Sequence, residues 1–214
     1  MFNRSIVVVL VVALAAGLGL LAGRQLFSQG PAVSLPDLQT VRLLPSPRAV
    51  PPFDLAQADG SRLEPADLRG HWTIVFLGFT HCPDVCPTTL AALAGAQRRW
   101  ESLPEASRPR VLFVSVDPER DTAEAAGGYA HHFHPDTLAA TGAIPALEAF
   151  ATSLGMVFMK VPPADGAPDD QYSVDHSATL VLVDPQGRMA GLLRPPLQPD
   201  AIAADLLALT GADA

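Results

Sequence analysis

The stretch that decides the fold is residues 79–87, which read Phe79-Thr80-His81-Cys82-Pro83-Asp84-Val85-Cys86-Pro87. It holds both cysteines of the chain, and three residues separate them. An apolar run typical of a strand precedes the stretch, and a run with helical spacing follows it. A lone cysteine pair at such a junction is typical of metal binding or thiol–disulfide exchange. The sequence therefore predicts that Cys82 and Cys86 act together.

The rest of the chain predicts an α/β domain. Two buried strands are expected at residues 72–79 and 111–116, because both runs are rich in β-branched and aromatic residues. A turn sequence at residues 184–187 lies between two further apolar runs and predicts an antiparallel hairpin. Helices are expected from Pro87 to Pro104, from an N-cap at Asp121 or Thr122 to Phe133, from Ile144 to Leu154, and from Pro199 to Leu209. This order predicts a mixed sheet flanked by helices, parallel in its first part and antiparallel in its second.

Length and charge narrow the class of protein further. A chain of 214 residues fits one globular domain of ordinary size. The net charge is -8, and every acidic residue lies after the apolar N-terminal run. Binding to nucleic acid requires a basic face, so we expect no nucleic-acid partner.

The N-terminus carries an apolar run without charge from Ser5 to Gly23, about the length of a helix that crosses a membrane. We interpret residues 1–24 as a membrane anchor; the competing interpretation is a cleaved signal peptide. Residues 25–52 contain six prolines and show no periodicity, so they are predicted to form an extended tether. The folded domain is then expected to comprise residues 53–214.

Two thiols are too few ligands for a closed tetrahedral zinc site. His81 is adjacent to Cys82, so we expect its side chain to point away from the pair. His176 lies at the end of a polar loop, just before a buried strand, and a ligand there can swing in. Two thiolates and one imidazole form a soft set that suits Cu(I), or Cu(II) with a weak fourth ligand. Asp84 or Asp175 would orient the histidine, although a lone histidine at a strand edge is more typical of an ordinary polar side chain.

Three segments in this order resemble the Sco/SenC family of thioredoxin-like copper proteins. They are residues 78–90 (GFTHCPDVCPTTL), residues 114–122 (VSVDPERDT), and residues 174–178 (VDHSA) followed by 183–187 (VDPQG). The resemblance covers about residues 50–209 and implies a thioredoxin-like fold. It also implies that Cys82, Cys86 and His176 are the ligands of one copper ion. Asp84 and Asp117 would belong to the surrounding motif without binding the metal.

The resemblance further implies a membrane-anchored copper chaperone that helps to assemble the binuclear copper centre in subunit II of cytochrome c oxidase. Its partners would be that subunit or another cuproprotein, an upstream copper donor and the membrane. The soluble domain would be extracytoplasmic, on the periplasmic side of the inner membrane in a bacterium. The alternative is a thiol–disulfide oxidoreductase that reduces the target's cysteines through Cys82 and Cys86. His176 would then be dispensable.

Overall fold

The computed structural model describes residues 3–27 and 37–212. Its contacts divide the chain into two units, Met1–Leu35 and Pro36–Ala214. The described helices are α1 Arg4–Phe27, α2 Val85–Trp100, α3 Ala123–Phe133, α4 Ile144–Ser153 and α5 Pro199–Ala212. The described strands are β1 Val41–Ala49, β2 Leu55–Gln57, β3 Arg62–Leu63, β4 Thr73–Gly78, β5 Arg110–Ser115, β6 Thr137–Thr141, β7 Phe158–Val161, β8 Ser173–His176, β9 Leu180–Val183 and β10 Arg188–Leu193.

The first unit contains helix α1, which covers most of the predicted anchor. Its apolar side chains between Ile6 and Leu18 are exposed. Over the residues that the structure describes, none of the helices is long and apolar enough to cross a membrane. The predicted membrane anchor is therefore not confirmed.

The second unit is built on an eight-stranded sheet with the order β1-β10-β9-β4-β5-β6-β2-β3. Strands β4, β5 and β6 are parallel to one another, and every other pairing in this sheet is antiparallel. The prediction of a mixed sheet flanked by helices is thus confirmed. Strand β4 is buried along its whole length, as expected for a central strand covered on both faces. Its C-terminal end points into the loop that carries the first cysteine.

One part of the predicted tether is wrong. Residues 28–36 lie outside the described residues, but residues 41–49 form strand β1, which pairs with β10 at the edge of the sheet. Two prolines, Pro45 and Pro47, lie in this strand, and an edge position tolerates them because only one side of the strand needs its N–H donors. The pairing register shifts between Leu43 and Arg48, where these prolines lie. The folded unit therefore begins before Phe53.

Helices α2 and α3 begin where the sequence chemistry indicates. Helix α2 starts at Val85 and has Pro87 in its first turn, where the missing N–H costs nothing. Thr122 is the N-cap of α3, and its side chain accepts a hydrogen bond from the N–H of Ala125. The sequence left both Asp121 and Thr122 as candidates for the N-cap. Because Thr122 is the N-cap, the carboxylate of Asp121 is available for another contact.

A separate two-stranded sheet is formed by β7 and β8. Its register pairs Phe158 with His176, which places the histidine at the end of a hairpin arm and not within a loop. Beyond this pair, the N–H of Ser177 donates a hydrogen bond to the carbonyl oxygen of Val157 at 2.9 Å. The β7–β8 arm, which carries His176, therefore forms a sheet of its own, separate from the eight-stranded one.

Candidate metal centre

Three separate segments bring the predicted ligands together. Cys82 lies in the loop after β4, Cys86 lies in the first turn of α2, and His176 is the last residue of β8. One ligand atom from each residue lies within 4.8 Å of the other two. Among the residues that the structure describes, this is the only group of three or more His, Cys, Asp or Glu residues arranged to hold a metal ion.

Cys86 is the buried member of the cysteine pair, and Cys82 is partly exposed. Burial is the main cause that raises the pKa of the Cys86 thiol above its usual range, which favours the thiol over the thiolate. Burial opposes the stabilisation of a thiolate that a helix N-terminus provides. The N–H of Cys86 instead faces the Cys82 sulfur at 3.4 Å.

The imidazole of His176 is held with one nitrogen towards the cysteines. Its Nδ1 lies 3.2 Å from the carbonyl oxygen of Ser177, and its Nε2 lies 3.5 Å from the Cys86 sulfur. An N–H at Nδ1 that donates to this carbonyl leaves the Nε2 lone pair free for a metal. Burial lowers the pKa of His176, which favours the neutral ring that metal binding requires.

Two aromatic rings fix the plane of this imidazole. Phe76 of β4 and Phe79, just after β4, both meet the ring of His176 edge to face, with centroids 5.9 and 6.2 Å away. The cysteine side of the site is equally constrained, because the Cys86 sulfur packs against Gly78. The ligand set is therefore shaped before any metal binds.

Asp84 and Asp175 were predicted to orient the histidine. Both are exposed and line the same surface depression of about 270 Å³ beside the metal ligands. The hydrogen-bond acceptor of His176 Nδ1, however, is the Ser177 carbonyl and neither carboxylate. A backbone acceptor leaves no mark in the sequence, and the orienting role of Asp84 or Asp175 stays a prediction.

Asp117 and Asp121 lie behind the site and are buried. Asp117 accepts hydrogen bonds from the Tyr172 hydroxyl and from Arg120 Nε, both at 2.6 Å. Asp121 accepts from the N–H of Thr80 at 2.8 Å and from the hydroxyls of Thr80 and Ser115. Asp121, Tyr172 and Arg120 were not predicted as residues of the site. The sequence signal for Asp121 was its position next to Thr122, the N-cap of α3. These contacts tie the cysteine loop to the end of β5.

His81 is exposed and lies outside the metal-ligating group, as its position next to Cys82 predicts. Its Nδ1 lies 3.0 Å from the hydroxyl of Thr80 and 3.7 Å from the Asp121 carboxylate. It therefore offers a matched control for His176, since both are histidines beside the same cysteine loop.

Two thiols and an imidazole within reach of one ion, on an α/β domain with a mixed sheet, define a thioredoxin-like protein with a candidate site for a soft metal ion such as copper. The SCO1/SenC family model matches residues 42–211, so the chain belongs to this family. Cys82, Cys86 and His176 fit copper, because sulfur and imidazole are the ligands that bind this ion well.

Individual relatives agree with the family assignment. The chain is 34% identical over 171 residues to a protein of Stutzerimonas stutzeri described as copper-binding, and the match covers 79% of this chain and 80% of that protein. It is 32% identical to the human mitochondrial SCO1 homologue, with 83% of this chain and 58% of the human protein covered. The copper-bound structure of ScoI from Arabidopsis thaliana superposes with a TM-score of 0.68 at 32% identity, over 78% of this chain and 100% of that one. The match covers 39% of the mitochondrial SCO1 homologue 1 of Arabidopsis thaliana and about half of the mouse and human SCO2 homologues.

Proposed function

We propose that this protein is a copper chaperone that holds one copper ion through Cys82, Cys86 and His176 and transfers it to a cuproprotein. The observation that carries the proposal is the meeting of these three ligand atoms within 4.8 Å of one another. Two sulfurs and one nitrogen form a soft, low-coordinate set, which suits Cu(I) and leaves a side open to an incoming ligand. The depression beside the site is where such a ligand would enter.

The division of the ligands between two parts of the fold supports transfer over permanent storage. The cysteines lie on the loop and helix that follow central strand β4, whereas His176 lies on the separate β7–β8 sheet. A movement of one two-stranded arm would remove one ligand while the two sulfurs stay in place. Such a movement would let an acceptor replace the imidazole without unfolding the domain.

The acceptor we propose is the binuclear copper site of cytochrome c oxidase subunit II, with a further protein as copper donor. The apolar run from Ser5 to Gly23 would anchor the chain, with the soluble domain on the extracytoplasmic side of the membrane. An anchor confines donor and acceptor to one surface and raises their effective concentration. The residues between the apolar run and Gln39, the first residue bound to Asp205, would set the reach of the domain.

The experiment that tests the proposal measures copper bound per chain, by metal analysis and Cu(I) competition, in wild type, His176→Ala and His81→Ala. We expect one copper per reduced chain, weaker binding in His176→Ala and wild-type binding in His81→Ala. A Cys82→Ser, Cys86→Ser double variant should bind none. If wild type, His176→Ala and His81→Ala bind copper with equal affinity, His176 is not a copper ligand.

A second candidate function is reduction of the acceptor's disulfide, and the unequal exposure of the two cysteines favours it. The partly exposed Cys82 thiolate would attack the acceptor disulfide and release one acceptor thiolate. Cys86 would then attack the mixed disulfide, so that the acceptor gains two electrons and this protein ends with a Cys82–Cys86 disulfide. This function predicts full activity in His176→Ala, measured as thiols formed on an oxidised acceptor peptide.

A further inference from the structure

A partly buried arginine, Arg120, contacts both segments that supply candidate metal ligands. The guanidinium of Arg120 lies 5.7 Å from the ring centre of Phe79, three residues before Cys82. It also lies 3.6 Å from the ring centre of Tyr172, four residues before His176. Its Nε donates to the carboxylate of Asp117 at 2.6 Å. One side chain thus spans the gap between the cysteine loop and the histidine arm.

The contacts to the histidine arm are made mainly to its backbone. Arg120 Nη1 donates to the carbonyl oxygens of Asp170 at 3.1 Å and of Tyr172 at 3.0 Å. The hydroxyl of Tyr172 donates to Asp117, so one carboxylate binds both the arginine and the tyrosine. Lys160 approaches the Tyr172 ring at 3.8 Å, and its ammonium group pairs with Glu119. The chain entering β8 is therefore fixed at several points.

The histidine itself is held by few polar contacts. Its Nδ1 bonds to the carbonyl of the next residue, Ser177, and its ring touches Phe76 and Phe79. The direction of its Nε2 also depends on the path of β8, which pairs with β7 along its length and begins directly after Tyr172.

We propose that Arg120 and Tyr172, joined through Asp117, are positioning residues that hold His176 on the metal and set the rate of copper release. We call these three side chains the β8 latch. The proposal rests on the chaperone function given above and adds a control on that same site. While the Tyr172 hydroxyl is bonded to Asp117, His176 stays beside the cysteines. When this hydrogen bond breaks, β8 can move away, and the imidazole would be the first ligand to leave the copper ion.

The test uses Tyr172→Phe, which keeps the ring and removes only the hydroxyl donor, and Arg120→Lys, which keeps the charge and removes the planar contacts. Cu(I) dissociation into a competing chelator is measured for each in the full-length chain. We expect release to accelerate about 10- to 100-fold, the usual cost of losing a group that orients a ligand. Arg99→Gln is the matched control, because its exposed pair with Asp200 lies at the far end of α2.

Both latch variants are then combined with His176→Ala. If the latch acts through His176, Tyr172→Phe and Arg120→Lys change the release rate no further once the imidazole is gone. An equal acceleration in both backgrounds, or none in either, would overturn the latch while leaving copper binding intact. Wild-type protein that binds no copper would overturn the chaperone function and the latch together. Circular dichroism of the metal-free variants confirms that each is folded, and Tyr172→Phe alone decides the question if Arg120→Lys does not fold.

Discussion

Gly78 is the residue where β4 ends, and its missing side chain leaves space for a metal ligand. A Cβ at this position would lie 2.9 Å from the Cys86 sulfur and 2.8 Å from a ring carbon of Phe113. Both distances are shorter than van der Waals contact, so a side chain here must displace both neighbours. The Phe113 ring and the Cys86 sulfur are equally buried, so any shift that accommodates the side chain also moves the sulfur.

Gly78→Ala should therefore weaken copper binding and destabilise the metal-free fold by about 1–3 kcal/mol, the usual cost of overpacking. Gly128→Ala is the control, because a Cβ there meets nothing within 4 Å and the residue lies inside α3. That change should raise the free energy of unfolding by about 0.5–1 kcal/mol and leave copper affinity unchanged. Urea unfolding and chelator competition measure both quantities. Unchanged copper affinity in Gly78→Ala would show that Cys86 tolerates the displacement.

Asp121 and Asp84 allow a second comparison at the scale of single residues. Asp121 is buried and accepts three hydrogen bonds from Thr80 and Ser115, whereas Asp84 is exposed. Asp121→Ala leaves those donors unpaired and should lower the free energy of unfolding by about 3 kcal/mol. Asp84→Ala should change it by less than about 0.5 kcal/mol. Chemical unfolding of both variants decides, and a small effect at Asp121 would contradict its role in fixing the cysteine loop.

The candidate metal site could be predicted from the sequence, because a soft ion demands particular atoms, and the structure brings Cys82, Cys86 and His176 within 4.8 Å of one another. Their orientation could not. Ser177 orients the imidazole through a backbone carbonyl, which any residue would supply. The role of Asp121 could not be predicted for another reason. At the start of α3, Asp121 and Thr122 are equally suited to be the N-cap, and only the fold decides which of them caps the helix.

At the scale of elements, β1 is the strand that was hardest to predict from the sequence. Its prolines and exposed residues resemble a linker, yet it lies antiparallel to β10 over Val41–Ala49. What fixes it is distant in sequence: Asp205 of α5 accepts hydrogen bonds from the N–H groups of Gln39, Thr40 and Val41 at 2.7–2.9 Å. A buried carboxylate on the last helix thus holds the start of the first strand.

Asp205→Ala should release β1 and lower the free energy of unfolding by about 2–4 kcal/mol, because three backbone donors lose a charged acceptor. Asp200→Ala is the control on the same helix; its carboxylate is 75% exposed and pairs with Arg99, so its loss should cost about 1 kcal/mol or less. Thermal unfolding and protease cleavage within residues 37–49 measure the two effects. Equal behaviour of the two variants would mean that β1 is held by its strand pairing alone.

The other elements differ in how well they could be predicted. Strands β4 and β5 are long apolar runs, and a turn sequence marks the β9–β10 hairpin, so local pattern suffices for them. Strand β6, Thr137–Thr141, was missed because TLAAT is short and rich in alanine, which has low strand propensity. It exists because it pairs in parallel with β5, an interaction with a partner more than twenty residues away. Long-range pairing of this kind cannot be read from local sequence.

At the scale of the whole folded unit, the candidate metal site takes its ligands from two sheets that polar contacts of Tyr172 and Lys160 also connect. The cysteines follow the central strand of the eight-stranded sheet, and His176 ends an arm of the two-stranded one. A copper ion bound to all three would connect these sheets directly. Metal binding should therefore stabilise the unit as a whole and restrain the β7–β8 arm in particular.

Copper at about 1,000 times its dissociation constant should add about 4 kcal/mol to the free energy of unfolding and raise Tm by roughly 10 °C. Chelation should reverse the shift, since a ligand that binds only the folded state stabilises by mass action. In His176→Ala the shift should be smaller, and hydrogen exchange at residues 173–176 should no longer slow on copper addition; His81→Ala should behave as wild type. Differential scanning calorimetry and exchange measured by mass spectrometry test this. If copper protects residues 173–176 equally with and without the imidazole, the ion does not join the two sheets through His176.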